Sequence, residues 1–309
     1  MHNQFYGLKK AAFEISPDPS FFCSTVQHKQ ALTKLYSGVH RHKGFAVLTG
    51  QAGTGKTLLV RWLAGLLGSQ DVAVAYVFNP QLSAVDFLDY ILADLRLSAP
   101  SGSKSRNLFA LNDYLVAQHD RGSTTVLIVD EAHLLSRELI EEIRLLTNLE
   151  TPRQKLLQII LSGQPELDQI IDSPDMPQLK QRIAVRCRLQ RLQRAEVEAY
   201  ILRRLELASL NPGPCTIFSQ PAMDAIERYS QGIPRLVNTI CENALAIGYA
   251  SRLPVVNASI VDDVASQFGF CAAEDMASPA EGFHPEEAAP AEVFSEQAGT
   301  QGARLQRVL

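Results

Sequence analysis

The eight residues at positions 50–57, GQAGTGKT, constrain the fold of this chain more than any other stretch. They fit the pattern G-x-x-x-x-G-K-[ST] of a phosphate-binding P-loop. An apolar run at 45–48 predicts a strand before them, and an amphipathic pattern at 58–67 predicts a helix after them. Because a glycine loop at a helix N-terminus presents main-chain N–H groups to an anion, the sequence predicts a phosphate site rather than an incidental glycine-rich turn. The binding residues are Gly50, Gln51, Ala52, Gly53, Thr54, Gly55, Lys56 and Thr57.

A second element of the predicted site is the acidic pair Asp130 and Glu131, which follows the apolar run 126–129. In open α/β sheets, ligands bind beyond the carboxyl ends of the strands. We expect Lys56 to neutralise the β- and γ-phosphates, and Thr57 and Asp130 to hold Mg²⁺. Glu131 is the candidate general base for an attacking water. The alternative is that the two acids cap the next helix.

Polar residues also follow the apolar run 156–161. Ser162 and Gln164 are candidates for contact with a γ-phosphate or the attacking water, and the alternative is a polar turn stopped by Pro165. His133 has no partner histidine at metal-ligand spacing, so we interpret it as a packing or supporting residue.

Several arginines are candidates for phosphate contact. Arg182, Arg186 and Arg188 surround the start of the last predicted strand, and an arginine that reaches a neighbour's γ-phosphate can raise the hydrolysis rate about 10³–10⁵-fold. The alternative is a solvated basic edge. Arg235 stands in the first turn of a predicted helix, where its charge opposes the helix dipole, so a role at the nucleotide competes with a solvated position beside a turn.

The order of elements predicts an α/β fold. Apolar runs alternate with helical patterns up to about residue 194, which indicates a parallel sheet covered on both faces, and only helical patterns follow. We expect a P-loop NTPase with a central parallel five-stranded sheet, then a small all-helical lid. The predicted regions are an aromatic and proline-rich segment (1–23), the α/β domain (24–193), the helical lid (194–270) and a disordered acidic tail (271–309).

Charge and cysteine usage narrow the expected setting. Residues 271–309 carry seven acids and two arginines, whereas the whole chain has a net charge of −4, so the remainder is close to neutral. A neutral surface argues against nucleic acid as the partner. The five scattered cysteines form no C-x-x-C pair, which suits a reducing cytosol. The sequence predicts no secretory signal and no transmembrane segment.

The combination of motifs resembles the AAA+ ATPases of the ExeA/GspA type. The residues that carry this likeness are the P-loop, DEAH at 130–133, SGQPEL at 162–167, QR at 181–182, GIPRLVN at 232–238 and the opening FYGL at 5–8. The resemblance implies an ASCE sheet with a helical lid, with ATP and Mg²⁺ as cofactors. It implies that Arg182 is an arginine finger and Arg235 a sensor-2 arginine. It also implies a homo-oligomer, either a ring or an ATP-dependent dimer.

By resemblance, the partners are type II secretion or type IV pilus assembly proteins at the inner membrane of Gram-negative bacteria. Secretion-type members continue through a membrane helix into a periplasmic peptidoglycan-binding module, and this chain has neither. We therefore expect it to be closest to the short pilus-type members, and to be cytoplasmic or peripheral at the inner membrane. The family's usual Asn-Pro-Phe is Ala11-Ala12-Phe13 here.

Two other functions remain open at this point. One is a nucleotide-gated scaffold that turns over very slowly, and the other is a DNA-associated ATPase of the transposition-helper kind. Although DEAH also spells a helicase motif, the chain is too short for two P-loop-type domains, so we set helicase activity aside.

Overall fold

A computed structural model of the 309-residue chain describes residues 2–14, 25–97, 102–210 and 216–270. The predicted disordered tail lies outside these residues, and so does part of the predicted N-terminal segment. The strands are β1 (Phe45–Gly50), β2 (Ala73–Val77), β3 (Thr125–Val129), β4 (Leu157–Gly163) and β5 (Val185–Leu189).

The helices follow the strands in the predicted alternation. A single turn, α1 (His2–Phe5), comes first, and those around the sheet are α2 (Val26–His40), α3 (Lys56–Gly68), α4 (Ala84–Asp94), α5 (Lys104–Asp120), α6 (Arg137–Leu146), α7 (Pro165–Asp172) and α8 (Pro177–Arg182). The helical region after β5, as we call it below, contains α9 (Arg194–Ala208), α10 (Gln220–Ser230), α11 (Pro234–Ala250) and α12 (Ala258–Phe268).

The five strands form one parallel sheet in the order β2-β3-β4-β1-β5, which confirms the predicted P-loop NTPase fold. Every residue of β1, β3 and β4 is buried, as expected of strands covered on both faces. Since all strands run the same way, the segments that follow β1, β3 and β4 meet at the carboxyl ends of the strands. The P-loop, Asp130 and Gln164 lie at this end of the sheet.

Apolar side chains of alternate residues fill the two faces of the sheet. One core lies under α2 and α3 and includes Leu48, Ile128 and Ile160. The other lies under α4, α5 and α6 and includes Val47 and Leu161. Successive residues of each strand therefore point to opposite faces of the sheet. The same alternation determines which polar side chains at the carboxyl ends point toward α3.

A third core belongs to the helical region and includes residues from the N-terminal segment. Tyr6, Leu8 and Phe13 are buried among the side chains of α9–α12. The buried Arg204 of α9 donates from Nε to the carbonyl oxygen of Ala12 at 2.7 Å. The aromatics of the opening segment thus pin it to the helical region.

Among the helices around the sheet, the sequence patterns did not predict α7 and α8. Both begin with proline, at Pro165 and Pro177, a position where the missing N–H has no helical partner to lose. The interpretation of Pro165 as the stop of a turn was therefore wrong, because this residue starts a helix. Helix α5 begins at Lys104, after Ser103 at its N-cap.

Candidate functional site

The P-loop folds as its glycines require. Gly53 and Gly55 have φ angles of +81° and +95°, in the left-handed region that suits glycine. Gly55 is the N-cap of α3, so the helix N-terminus faces the loop. The Oγ1 of Thr54 donates to the carbonyl oxygen of Gln51 at 2.8 Å and closes the turn. Gln51 and Ala52 are exposed at its tip.

Lys56 lies inside the loop and is only 5% exposed. Its Nζ donates to the carbonyl oxygens of Gly50 and Gln51 at 2.8 and 3.0 Å. Burial lowers the pKa of Lys56, and the negative charges of Glu131 and Asp130 act against this shift. The positive and negative elements predicted for the site therefore lie close enough to influence one another.

Asp130 is 3% exposed at the end of β3 and is held by two donors. Its Oδ2 accepts from the hydroxyl of Tyr76 at 3.0 Å, and its Oδ1 accepts from the main-chain N–H of Glu131 at 3.0 Å. Burial and the neighbouring Asp130 charge raise the pKa of Tyr76, so the phenol stays protonated and donates. The carboxylate is thus fixed in orientation, as a metal ligand needs to be.

Glu131 and Gln164 are joined through His133. The backbone of Glu131 is left-handed, with φ +50°, an uncommon conformation for a residue other than glycine. Its Oε2 lies 3.5 Å from Nδ1 of His133, and Nε2 of the same ring lies 2.9 Å from Nε2 of Gln164. The predicted base and the predicted polar residue of β4 therefore belong to one cluster.

Arg235 reaches the P-loop from the helical region. Its main-chain N–H donates to the carbonyl oxygen of Gly53 at 3.2 Å. A Cβ placed on Gly53 would lie 2.9 Å from both Arg235 Cβ and Ile233 Cγ2, so the loop needs glycine there for this approach. The Arg235 charge also acts to lower the pKa of Lys56. The structure therefore brings Arg235 to the predicted phosphate site.

Arg182 lies at the opposite end of the sheet, near the amino end of β5. It ends α8, and its NH1 group donates to Oγ1 of Thr147 at 3.0 Å. The following strand β5 pairs with β1 from Ala46 to Gly50, which places roughly 16 Å of strand between Arg182 and the level of the P-loop. Contact between Arg182 and the phosphate site would therefore have to come from a neighbouring copy.

In the part of the chain that the structure describes, no side-chain hydrogen bond joins the other polar candidates to the P-loop. Ser162 is fully buried within β4, and its Oγ has no hydrogen-bond partner among the described residues. Arg186 and Arg188 share one face of β5, as predicted, and both donate to Asp168. Asp168 also accepts from the hydroxyl of Thr49. These arginines are paired within the chain.

Three supporting residues escaped the sequence analysis. His28 of α2 is 4% exposed, and its Nε2 lies 3.0 Å from the carbonyl oxygen of Thr54. Tyr76 holds Asp130, as described above. Arg191 donates to the side chains of Gln51 and Gln231 at 2.6 and 2.5 Å and links the P-loop to the helical region. A tyrosine at the next-to-last position of an apolar strand, AVAYV, was the one local signal in the sequence.

The residues present fit a phosphate chain with a divalent cation. Among the described residues no carboxylate lies within ion-pairing distance of Lys56 Nζ, although Asp130 and Glu131 influence its pKa. In the same described ranges, no three His, Cys, Asp or Glu side chains could hold a metal by themselves. Mg²⁺ is usually held by one or two carboxylates together with phosphates of the substrate, which is the set of ligands this site can offer.

Comparisons with known proteins agree with this geometry. A family model described as "AAA domain" matches residues 39–171. The chain is 40% identical over 252 residues to "General secretion pathway protein A" of Aeromonas hydrophila, which covers 81% of this chain and 45% of that protein. This chain thus spans less than half the length of that relative. Within the described residues, no helix has the length and apolar character needed to cross a membrane.

Solved structures share the fold at low identity. Cdc6p from Pyrobaculum aerophilum is 17% identical with a TM-score of 0.65, covering 84% of this chain and 74% of that chain. Drosophila ORC bound to DNA is 19% identical with a TM-score of 0.58, covering 87% and 68%. The RuvB branch migration motor of Thermotoga maritima is 17% identical with a TM-score of 0.53, covering 77% and 68%.

Proposed function

This chain has the fold of an AAA-type P-loop NTPase, and on that premise we propose that it binds Mg-ATP and hydrolyses it. The observation that carries the proposal is that Lys56, Asp130 and Glu131 lie close together at the carboxyl ends of the strands. Lys56 and the loop bind the phosphates, and Thr57 and Asp130 hold Mg²⁺, which supplies charge neutralisation at the transferring phosphoryl group. Glu131 accepts a proton from the attacking water.

Binding is tested with a fluorescent ATP analogue. We expect Lys56→Ala to lose binding, because the substitution removes the cation inside the loop. Lys29→Ala is the matched control, since it removes an exposed lysine of α2. Equal affinity in wild type and Lys56→Ala would contradict the assignment.

The biological role is proposed from the 40% identity to General secretion pathway protein A. We infer that the chain belongs to the ExeA/GspA family and works as a homo-oligomer on a type II secretion or type IV pilus complex at the inner membrane. The narrower proposal is the ATPase of mannose-sensitive haemagglutinin (MSHA) pilus biogenesis, MshM. Pilin, secretin and pilus ATPase genes beside its gene support the pilus pathway. Secretion genes there support the alternative.

A nucleotide-gated scaffold is the second candidate function. The contact between Arg235 and Gly53 favours it, because nucleotide at the P-loop would act directly on the helical region. Phosphate release that stays negligible at high protein concentration, with tight ATP binding, supports the scaffold over the ATPase.

A DNA-associated ATPase is supported least. Its basic segment 180–188 is largely paired within the chain, with Arg186 and Arg188 bound to Asp168 and Lys180 to Asp172. Salt-sensitive DNA binding in a gel shift would favour this function, and no binding at low salt removes it.

A further inference from the structure

His133 is placed between the two residues that the proposed function assigns to the water and the γ-phosphate. Its side chain is 10% exposed, and its ring contacts Glu131 through Nδ1 and Gln164 through Nε2. The main chain of His133 packs closely on Gly163, where an added Cβ would lie 3.0 Å from the His133 nitrogen. Backbone packing and ring contacts therefore hold the imidazole in one place.

The chemistry of the two neighbours limits where the ring proton lies. A carboxylate can only accept a hydrogen bond, so the Glu131 contact is attractive when Nδ1 carries a proton. In that tautomer Nε2 is an acceptor, and the side-chain NH₂ group of Gln164 is placed to donate to it at 2.9 Å. With the Gln164 NH₂ group facing Nε2, the tautomer that suits both contacts carries its proton on Nδ1, toward Glu131.

The opposite tautomer also has a partner in the structure. The main-chain N–H of Gln164 donates to Nδ1 at 3.4 Å, a contact that suits a ring with its proton on Nε2. In that tautomer the Nδ1 lone pair repels the Glu131 carboxylate. The ring therefore has two settings, one that holds Glu131 and one that releases it.

From this arrangement we propose that His133 is a positioning residue that ties the orientation of Glu131 to the position of Gln164. The inference rests on the proposed function, in which Glu131 is the general base. His133 touches neither phosphate nor water. It acts by holding the carboxylate through Nδ1–H, and Gln164 sets which nitrogen carries the proton.

Two substitutions of similar size separate the two sides of the ring. His133→Asn keeps an amide donor near the Nδ1 position, toward Glu131. His133→Gln extends to the Nε2 position, toward Gln164, and loses the donor to Glu131. We expect His133→Gln to lower kcat about tenfold or more and His133→Asn to lower it about threefold or less, both with unchanged affinity for a fluorescent ATP analogue.

Other kinetic outcomes overturn the inference. It is wrong if His133→Gln keeps the wild-type kcat, if both variants lose the same activity, or if KM rises while kcat stays constant. Thermal unfolding of both variants identifies loss of fold. If His133→Gln unfolds, the coupling between Gln164→Leu and His133→Asn decides instead. We expect Gln164→Leu to cost less kcat in the Asn background than in the wild type, and equal costs contradict the proposal. If His133→Asn unfolds, the nitrogen-15 measurement described below decides, with His133→Gln used for assignment.

A measurement on nucleotide-free protein separates this inference from the proposed ATPase activity. Nitrogen-15 NMR of labelled histidine reports which ring nitrogen carries the proton, and the signal absent from His133→Asn identifies His133. We expect a proton on Nδ1 in the wild type, and its loss in Gln164→Leu. A proton on Nε2 in the wild type overturns the inference, whatever the turnover rate. A wild type without ATP hydrolysis contradicts the proposed function instead.

Discussion

At the scale of single residues, the hydrogen bond from Tyr76 to Asp130 has a measurable consequence. Tyr76→Phe removes only the hydroxyl that donates to Oδ2. A hydrogen bond to a charged group contributes roughly 1.5–3 kcal/mol. We therefore expect Tyr76→Phe to need about tenfold more Mg²⁺ for half-maximal ATP hydrolysis, because its Asp130 carboxylate is less well oriented.

The matched control for this change is Tyr36→Phe. The Tyr36 hydroxyl donates to Gln70 on the surface, away from Asp130. Its Mg²⁺ dependence should equal that of the wild type. A Tyr76→Phe protein whose Mg²⁺ titration overlays that of Tyr36→Phe would show that the phenol does not support the metal site.

His28 predicts how stability depends on pH. Burial lowers its pKa from the ordinary value of 6.5, while the hydrogen bond with Thr54 and the charge of Glu196 act in the opposite direction. The unfolded chain therefore binds more protons below about pH 6.5, so the free energy of unfolding falls as pH decreases from about 7 to 5. We expect His28→Gln to flatten this dependence, measured by urea unfolding at several pH values.

The control is His40→Gln on the exposed surface of the same helix. It should keep the pH dependence of the wild type. The partly buried His42, whose pKa is also lowered by burial, leaves a residual slope in both variants. Identical slopes in wild type and His28→Gln would mean that the His28 imidazole does not contribute to the acid sensitivity of the protein.

The sequence was sufficient to predict Lys56, Asp130 and Glu131, which the structure brings close together, and it left their supporting residues unseen. The P-loop and Asp130 are local patterns whose residue types follow from the chemistry. Tyr76 and His28 are far from them along the chain and come close only when β2 pairs with β3 and α2 packs below the loop. No local sequence pattern predicts these contacts between residues that are distant along the chain.

At the scale of secondary-structure elements, the connection between β5 and the helical region depends on one glycine. Gly232 has a φ of +72°, and a Cβ there would lie 2.0 Å from the carbonyl oxygen of Leu192. The main chains of these two residues are also hydrogen bonded, at 2.7 Å. We expect Gly232→Ala to lower the melting temperature by several degrees, as measured by circular dichroism, because this contact has to open.

Gly65→Ala is the glycine control for that prediction. Gly65 lies within α3, where a Cβ would meet no atom within 4 Å. Alanine is favoured over glycine inside helices by about 1 kcal/mol, so this variant should keep or raise the melting temperature. Equal melting temperatures for the two variants would contradict the role assigned to Gly232.

How well the strands and helices could be predicted depended on the spacing of apolar residues and on the surrounding residues. Continuous apolar runs predicted β1, β3 and β4, because these strands are buried on both faces. At Pro165 the sequence left open a turn that stops at proline, whereas the structure starts a helix there. The same residue can stop a turn or start a helix. The packing of Phe13 into the helical region required the fold itself, because its partner Phe218 is distant in sequence.

At the scale of the whole molecule, Arg182 raises the question of oligomerisation. Arg182 lies near the amino end of β5, at the opposite end of the strands from the P-loop. It can therefore act as an arginine finger only at the site of a neighbouring copy. We expect Arg182→Ala to bind ATP normally but to hydrolyse it slowly, and the wild-type rate per protomer to rise with protein concentration. Subunits of Glu131→Gln keep Arg182, so mixing them with Arg182→Ala should restore turnover.

In an equal mixture, random assembly pairs an intact Glu131 site with an intact neighbouring Arg182 at roughly a quarter of the interfaces. Phosphate release by the mixture should therefore approach a quarter of the wild-type rate. Arg182 does not act between subunits if the mixture releases phosphate no faster than the average of the two variants measured separately.

ATP hydrolysis is the function proposed for the site at which Lys56, Asp130 and Glu131 lie. The direct measurement is phosphate release from saturating Mg-ATP by the wild type and by Glu131→Gln, with nucleotide binding measured on the same samples. We predict equal ATP binding and at least about 100-fold slower release by Glu131→Gln. Equal release by the two proteins, or no release by the wild type at any concentration, would contradict it.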